Sequence, residues 1–172
     1  QIRPIFIIKE EWQGSSDGNT FFHSDQQDRY CTIAIDPVIT EGIVRMEVMF
    51  DNTVEWRIIG IADASCSFSA GRAPCGNLDH ITKGIRGNHK YVDRQRVAVE
   101  VDMTTVPRRA TFFVEDIEQP NFVIGIPEAV RFWGYTFNKS SSFTITKFER
   151  LFQSTAKGVK GSQALEWGKR WY

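Results

Sequence analysis

The chain has 172 residues, of which 41% are hydrophobic and 24% are charged, which is the balance of one folded globular domain. Lysine plus arginine equals aspartate plus glutamate at 21 each, and this neutrality argues against a broad phosphate-binding surface, so we expect no nucleic-acid partner. No apolar run reaches the length that spans a bilayer, so we expect no membrane partner. The chain begins at Gln1 without a signal-peptide pattern, and we expect it to be a piece of a longer protein.

Apolar residues recur at every second position through most of the chain, which is the period of a strand with one buried face. The segment 43–50 places its valines, Met46 and Phe50 on one face, and Arg45 and Glu47 on the other. The same alternation, bounded by turn residues, predicts further strands at 4–8, 32–35, 55–62, 97–102, 110–115, 122–126, 130–137 and 142–148.

About ten short strands at this spacing predict an all-β fold, a two-sheet antiparallel β-sandwich. We assign residues 1–152 to the sandwich and residues 153–172 to a C-terminal tail. The tail holds the one helical candidate, residues 163–172, in which Trp167 and Trp171 are one turn apart. Such a helix would pack either on the sandwich or on a neighbouring domain.

The sequence lacks the patterns that accompany catalysis or metal binding. There is no nucleophile elbow, no phosphate-binding glycine loop and no His-Glu-x-x-His motif. Cys75, His80 and His89 could be imagined as zinc ligands, but no Cys-x-x-Cys pair accompanies them. Glu100 and Asp102 share one strand face, which favours solvation or cross-strand ion pairs over a catalytic pair across a cleft. We therefore expect no enzymatic activity, no metal and no cofactor.

The cysteines indicate the compartment. They number three, Cys31, Cys66 and Cys75, at irregular spacing, whereas a secreted scaffold usually carries an even set. We expect all three to be reduced in a cytoplasmic, intracellular protein. Cys31 is in phase with Ile33 and Ile35, which predicts a buried core thiol.

Five stretches of sequence share a pattern with one family. They are GIVRMEVMF (42–50), WRIIGIAD (56–63), VAVEVD (97–102), PRRATFFV (107–114) and VRFWG (130–134). Over roughly residues 30 to 151 the chain resembles the SPRY family of concanavalin-like jelly-roll sandwiches, and most of all the divergent SPRY-like domains found beside tyrosine-kinase-like kinases in single-celled eukaryotes. The resemblance implies a non-catalytic protein-interaction module. One departure is Glu115 to Gln119, which stands where the family has an Asn-Gly-type turn and predicts a wider loop.

The resemblance also points to a binding end. Phe132-Trp133-Gly134 is similar to a Val-Trp-Gly phrase at the peptide-binding end of some members. Arg131, Trp133 and Tyr135 share a face of their strand, and we expect Trp133 and Tyr135 to floor a partner pocket. Coverage of Trp133 by the N-terminal strand or the tail is the alternative.

Arg86, Asn88 and Tyr91 would form the opposite rim of that pocket. The expected partner is a peptide, a protein surface or another domain of the same chain. A carbohydrate-binding, lectin-like sandwich and a structural subunit docked in a large assembly remain as alternatives.

Overall fold

The computed structural model describes residues 1–54, 56–74 and 88–169. Within these ranges the chain forms strands and one short 3-10 helix, Glu11–Gln13. The strands, numbered in chain order, are β1 (Ile5–Ile7), β2 (Gly14–Asp17), β3 (Thr20–His23), β4 (Cys31–Ile39), β5 (Ile43–Asp51), β6 (Arg57–Asp63), β7 (Arg96–Asp102), β8 (Arg109–Val114), β9 (Ile117–Glu118), β10 (Asn121–Ile124), β11 (Val130–Thr136), β12 (Ser142–Leu151) and β13 (Gln163–Glu166). None of the described residues forms a helix long and apolar enough to cross a membrane.

The strands build two sheets that face each other. The small sheet has the order β1-β4-β11-β6, and the large sheet has the order β13-β10-β8-β7-β5-β12-β3-β2, with β9 beside β8. Among the described pairings, only β10 with β13 is parallel, and the others are antiparallel. The predicted two-sheet antiparallel β-sandwich is therefore confirmed, with β2, β3, β9 and β13 as strands that the sequence did not indicate.

The main core lies between the sheets and is built from the inner face of each strand. Val44, Met46 and Val48 of β5 point into it, as the alternation predicted, and Cys31 is buried among them. Phenylalanines fill the space between the layers, and the rings of Phe132 and Phe148 meet edge-on at 5.5 Å between centroids. Large aromatic rings supply much of the apolar area that is removed from water.

One glycine is required by this packing. Gly134 lies in the middle of β11, where a strand normally favours a larger residue. A Cβ at this position would lie 2.7 Å from Cζ of Phe143, which belongs to the opposite sheet. The backbone of β11 and the Phe143 ring therefore approach each other closely only because residue 134 has no side chain.

The turn after β8 corrects the prediction of a wider loop. Val114 pairs with Ile117, so Glu115 and Asp116 alone connect β8 to β9. Both residues have positive φ, 50° and 63°, as a two-residue hairpin turn of the I′ type requires. The Glu115 carboxylate accepts the backbone N–H of Arg96, and this bond holds the pKa of Glu115 below its usual value. The hairpin turn is therefore tight, although Glu-Asp stands where an Asn-Gly pair is the common choice.

The C-terminal tail is a second correction. Residues 163–166 form strand β13 rather than the start of a helix, and they pair in parallel with β10. Leu165 and Trp167 pack against the main core. Trp171 lies outside the described residues. A short strand at the edge of an existing sheet satisfies the backbone of residues whose apolar content is too sparse to support an amphipathic helix.

Candidate partner-binding surface

Trp133 and Tyr135 lie at the centre of the small sheet, on the face that points away from the main core. Their strand, β11, pairs with β4 on one side and β6 on the other. With Ala62 and Phe68 they form a second apolar cluster, separate from the main core. The sequence correctly grouped Trp133 and Tyr135 on one face, but that face is not open.

Residues 64–74, which we call the loop cover, bury this cluster. Phe68 packs on Trp133 with 6.0 Å between ring centroids, and Trp133 is fully buried. The Thr32 hydroxyl donates to the carbonyl of Arg72 at 2.8 Å, and this bond fastens the far end of the cover. An exposed pocket floored by Trp133 is therefore wrong for this structure. Trp133 is indeed covered, but the cover comes from this loop.

The indole of Trp133 has no hydrogen-bond partner among the residues that the structure describes. Its Nε1 atom is buried without an acceptor in the part of the chain that the structure describes. Leaving a buried donor unpaired costs about 1–3 kcal/mol, so such groups are rare in native proteins. The packing of the Trp133 ring offsets this cost, because a buried indole removes a large apolar area from water.

The open part of the same face lies at its end. Thr136 pairs with Cys31 and with Arg57, so the next residues, Tyr30, Phe137 and Trp56, fall beside one another where the three strands begin or end. We call these three residues the aromatic row. Tyr30 is 53% exposed and Trp56 is 52% exposed.

Phe137 joins this aromatic row to the buried cluster. Its ring lies 5.3 Å from the ring of Tyr30, and its inner side packs against the Trp133 and Tyr135 cluster. Neighbouring strands are about 4.8 Å apart, so three adjacent positions span roughly 10 Å. The row is therefore an apolar strip on a rigid base. The sequence predicted Phe137 as the last residue of the strand 130–137, but its neighbours Tyr30 and Trp56 could be identified only once the strand register was known.

Arg131 lies at the other end of the same face. It is six residues from Phe137 along a strand, a distance of roughly 20 Å. Its Nε atom donates to Oδ1 of Asp36 at 2.7 Å, and its Nη1 atom donates to the carbonyl of Ala64 at 2.7 Å. Arg131 therefore fastens the start of the loop cover and is not part of the aromatic row.

Two of the residues predicted as an opposite rim, Asn88 and Tyr91, are not brought to this face. Asn88 holds Asn121 by two hydrogen bonds, since it donates to the carbonyl at 3.1 Å and accepts from the backbone N–H at 2.9 Å. The hydroxyl of Tyr91 donates to the carbonyl of Arg57 at 3.1 Å, and burial raises the pKa of Tyr91. Both contacts are structural. Arg86 lies outside the described residues.

The described side chains offer little reactive chemistry. Cys31 and Cys66 are free thiols. Burial raises the pKa of Cys31 to about 12, and burial followed by the Asp63 charge raises the pKa of Cys66. Both thiols are therefore protonated at neutral pH, and the thiolate is the nucleophilic form. Among the residues that the structure describes, no three His, Cys, Asp or Glu side chains are grouped to hold a metal ion. Cys75 and His80 lie outside those residues.

The arrangement defines a class of protein: a two-sheet sandwich with a covered apolar face and an aromatic strip at one end. Solved SPRY domains share the two-sheet sandwich fold. The SPRY domain of human HERC1 superimposes with a TM-score of 0.55 at 8% identity, over 81% of this chain and 92% of that one. A second human SPRY domain gives a TM-score of 0.61 at 13% identity, over 81% and 95%. The chain therefore has the SPRY fold. No family model and no curated protein matches the sequence.

Proposed function

We propose that the chain is a non-catalytic protein-interaction module whose partner binds across the aromatic row of Tyr30, Phe137 and Trp56. The proposal rests on the exposure of two large aromatic side chains, Tyr30 and Trp56, at one end of the small sheet. Further along the same face, Trp133 and Tyr135 are buried and provide a fixed base. Aromatic side chains on a rigid base are typical anchors of protein interfaces, because they bury a large area with little loss of conformational entropy.

Trp133 and Tyr135 keep a role in the proposal as the base of the site. On the face that Phe137 shares, Tyr135 is the preceding side chain and Trp133 is the one before it. Phe137 packs against both. A partner that reaches beyond the row would meet the loop cover, which Arg131 and Thr32 hold in place. Asn88 and Tyr91 would act through the fold, because both are engaged in structural hydrogen bonds.

The wider setting belongs to the same proposal. The balanced charge of the sequence supports a protein or peptide partner over nucleic acid. The raised pKa values of Cys31 and Cys66 argue against either of these two thiols as a nucleophile. We place the domain in an intracellular protein of several domains, in line with its resemblance to kinase-adjacent SPRY-like domains. The partner surface is then a peptide segment or a neighbouring domain.

A peptide selection tests the role of the aromatic row. Peptides from a random displayed library are selected on the wild-type chain, and their affinity is then measured for Tyr30→Ala and Trp56→Ala. Loss of an anchor contributes 2 kcal/mol or more, roughly a thirtyfold loss of affinity. We expect this loss with little change in melting temperature, since both side chains are about half exposed.

Phe152→Ala is the matched control, because Phe152 is a fully exposed aromatic side chain outside the row. Selected peptides that bind Phe152→Ala as weakly as Tyr30→Ala would contradict the proposed site. A glycan array run on the same three variants separates the lectin-like alternative. If Tyr30→Ala and Trp56→Ala abolish binding of a glycan, and no selected peptide depends on these residues, the domain is a lectin-like module and the proposed function is wrong.

A further inference from the structure

The chain after β12 crosses the outer face of the large sheet before it reaches β13. We call residues 152–162 the strap. The structure assigns no helix or strand to the strap, and most of its residues are exposed. It nevertheless follows a defined path, because polar side chains of the sheet hold it by hydrogen bonds. The large sheet therefore carries a receptor for an extended segment on its outer face.

The first half of this receptor is a buried pair of opposite charges. Arg45 of β5 and Glu100 of β7 are directly opposite in the strand register, and they are 8% and 2% exposed. The hydroxyl of Thr155 lies between them. Nη1 of Arg45 donates to this hydroxyl at 2.8 Å, and the hydroxyl donates to Oε1 of Glu100. One strap hydroxyl thus connects both charges.

Two further donors complete the coordination of Glu100. The hydroxyl of Ser154 donates to Oε2, and the backbone N–H of Thr155 donates to Oε1 at 3.1 Å. The Arg45 guanidinium is fixed as well, since it stacks 4.0 Å above the ring of Phe113 and donates to Oδ1 of Asp116 at 3.1 Å. A buried charge is costly unless it is paired and hydrogen-bonded, so this face of the sheet requires a polar occupant.

The second half of the receptor binds backbone. The carboxylate of Glu118 accepts the N–H groups of Lys157 and Gly158 at 2.7 and 3.0 Å. Beyond the strap, the N–H of Gln163 donates to the carbonyl of Pro120 at 2.9 Å, and β13 continues in parallel along β10. The receptor thus recognises two adjacent hydroxyl side chains and then two backbone N–H groups, while β13 remains in the sheet.

We propose that this outer face is a second peptide-binding site, which the strap fills in cis and which an extended foreign peptide of the same chemistry occupies when the strap leaves. Such a peptide carries two adjacent Ser or Thr residues and no acidic side chain beside them, because an added carboxylate would face Glu100. The site lies on the opposite sheet from the aromatic row and does not depend on it.

Exchange is possible because of the way the strap is held. Its contacts are hydrogen bonds at exposed or partly buried positions, where water can replace a departing donor or acceptor. The buried charges, in contrast, belong to β5 and β7 in the middle of the sheet. Exposed segments with few buried apolar contacts open locally well below the free energy of global unfolding. The receptor would therefore remain formed while its occupant changes.

A trans-binding experiment tests the proposal. The probe is a labelled synthetic peptide with the sequence of the strap, residues 152–162, titrated into the full chain and into the Ser154→Ala/Thr155→Val double variant. The tethered strap competes at a high effective concentration in the wild type. We expect the probe to bind the double variant at least about tenfold more tightly than the wild type. Thr155→Ser, which keeps the bridging hydroxyl, should behave as the wild type.

Two controls fix the chemistry of that binding. A probe carrying Ala and Val at the two hydroxyl positions should bind at least about tenfold more weakly, because it leaves Glu100 without its hydroxyl donors. Adding Glu100→Gln to the double variant should reduce binding of the original probe by a similar factor. Failure of the probe to bind a folded double variant, or equal binding of both probes, overturns the proposal.

Hydrogen exchange on the wild-type chain tests the proposal without the double variant, and so it still applies if that variant does not fold. We expect the amides of Thr155, Lys157 and Gly158 to exchange at least about tenfold faster than those of β7, by local opening. Exchange of these amides only at the rate of β7 would make the strap a permanent part of the fold and would overturn the proposal. A concentration-dependent dimer in light scattering would identify the strap of a second copy as the occupant. That result would also contradict the proposal that the occupant is a foreign peptide.

Discussion

The two outer faces of the sandwich are both covered by irregular chain, but by different physical means. On the small sheet, the loop cover presses Phe68 onto Trp133 in an apolar cluster. On the large sheet, the strap satisfies Arg45 and Glu100 through hydroxyl and backbone groups. The first cover is held by burial of apolar area, which tolerates many shapes, and the second by hydrogen bonds, which demand particular atoms.

This difference separates stability from exchange. Apolar burial contributes roughly 25 cal/mol per Å² and needs no specific partner atom, so the loop cover and its cluster should contribute strongly to folding. Hydrogen bonds to buried charges contribute little net free energy, but they are costly to leave unmade. The cover on the small sheet should therefore stabilise the fold, and binding is expected only at the aromatic row at its end. The strap on the large sheet is held by specific contacts and can be replaced.

The largest effect should come from the apolar face. Trp133→Ala removes a fully buried ring and should lower the free energy of unfolding by about 3–5 kcal/mol, or roughly 6–20 °C in melting temperature. Phe112→Ala should cost less, because Phe112 packs on the main core but is only partly buried. Thermal melts of the two variants side by side provide the measurement. If the Trp133 variant melts at a higher temperature than the Phe112 variant, the cluster around Trp133 is not a structural core.

A smaller effect is expected where β11 meets the large sheet. Gly134→Ala places a Cβ 2.7 Å from the Phe143 ring, and overpacking of this kind costs about 1–3 kcal/mol. Denaturant titration measures the change. In a Phe143→Leu background the ring is absent, so the added methyl group should cost clearly less than in the wild type. Equal costs in both backgrounds would place the strain in the strand itself and not against Phe143.

The polar face provides the third test. Glu100→Gln keeps the shape of the side chain, but its amide nitrogen cannot accept from the Ser154 and Thr155 donors. We expect a loss of about 1–3 kcal/mol in the free energy of unfolding, with little dependence on salt, because the site is buried. Glu128→Gln, on the exposed surface, should change stability by less than about 0.5 kcal/mol. Similar values for both variants would mean that the strap adds nothing to the fold.

The sequence predicted the apolar half of this comparison better than the polar half. Alternation along β5 assigned Val44, Met46 and Val48 to the core, because the period of a strand is a local property. It also placed Arg45 on the opposite face of the strand, but it did not predict a cover over that face. The cover over Arg45 comes from Thr155, 110 positions away, and no local pattern reports a contact at that distance.

The candidate site was predicted in part for the same reason. The sequence placed Trp133 and Tyr135 on one face of their strand, either as the floor of a pocket or under a cover from the N-terminal strand or the tail. It could not identify residues 64–74 as the cover, since apart from Phe68 and Arg72 they are small residues without a strand or helix pattern. Tyr30 and Trp56 join Phe137 only through the register of three strands that are far apart in sequence. The division at residue 152, the kinase-adjacent setting and the partner remain predictions.

The smallest effect should come from the exposed edge of the polar face. Asp116 binds Nη2 of Arg45 at 3.1 Å and Nη1 of Arg96 at 2.8 Å, but its own side chain is 51% exposed. Asp116→Asn removes the charge and keeps a residue type that tolerates the positive φ of this turn. Arg45 would retain its contacts with Thr155 and Phe113.

Because solvent screens half-exposed ion pairs, we expect Asp116→Asn to cost less than about 1 kcal/mol, and less again at high salt. Asp51→Asn is the matched control. Asp51 is 57% exposed and pairs only with Arg94 in the part of the chain that the structure describes, at 3.4 Å, so its loss should be smaller still. Chemical denaturation at low and high salt gives both values. A cost for Asp116→Asn as large as that of Glu100→Gln would mean that Asp116 positions Arg45 for the strap, so the receptor would extend to the turn between β8 and β9.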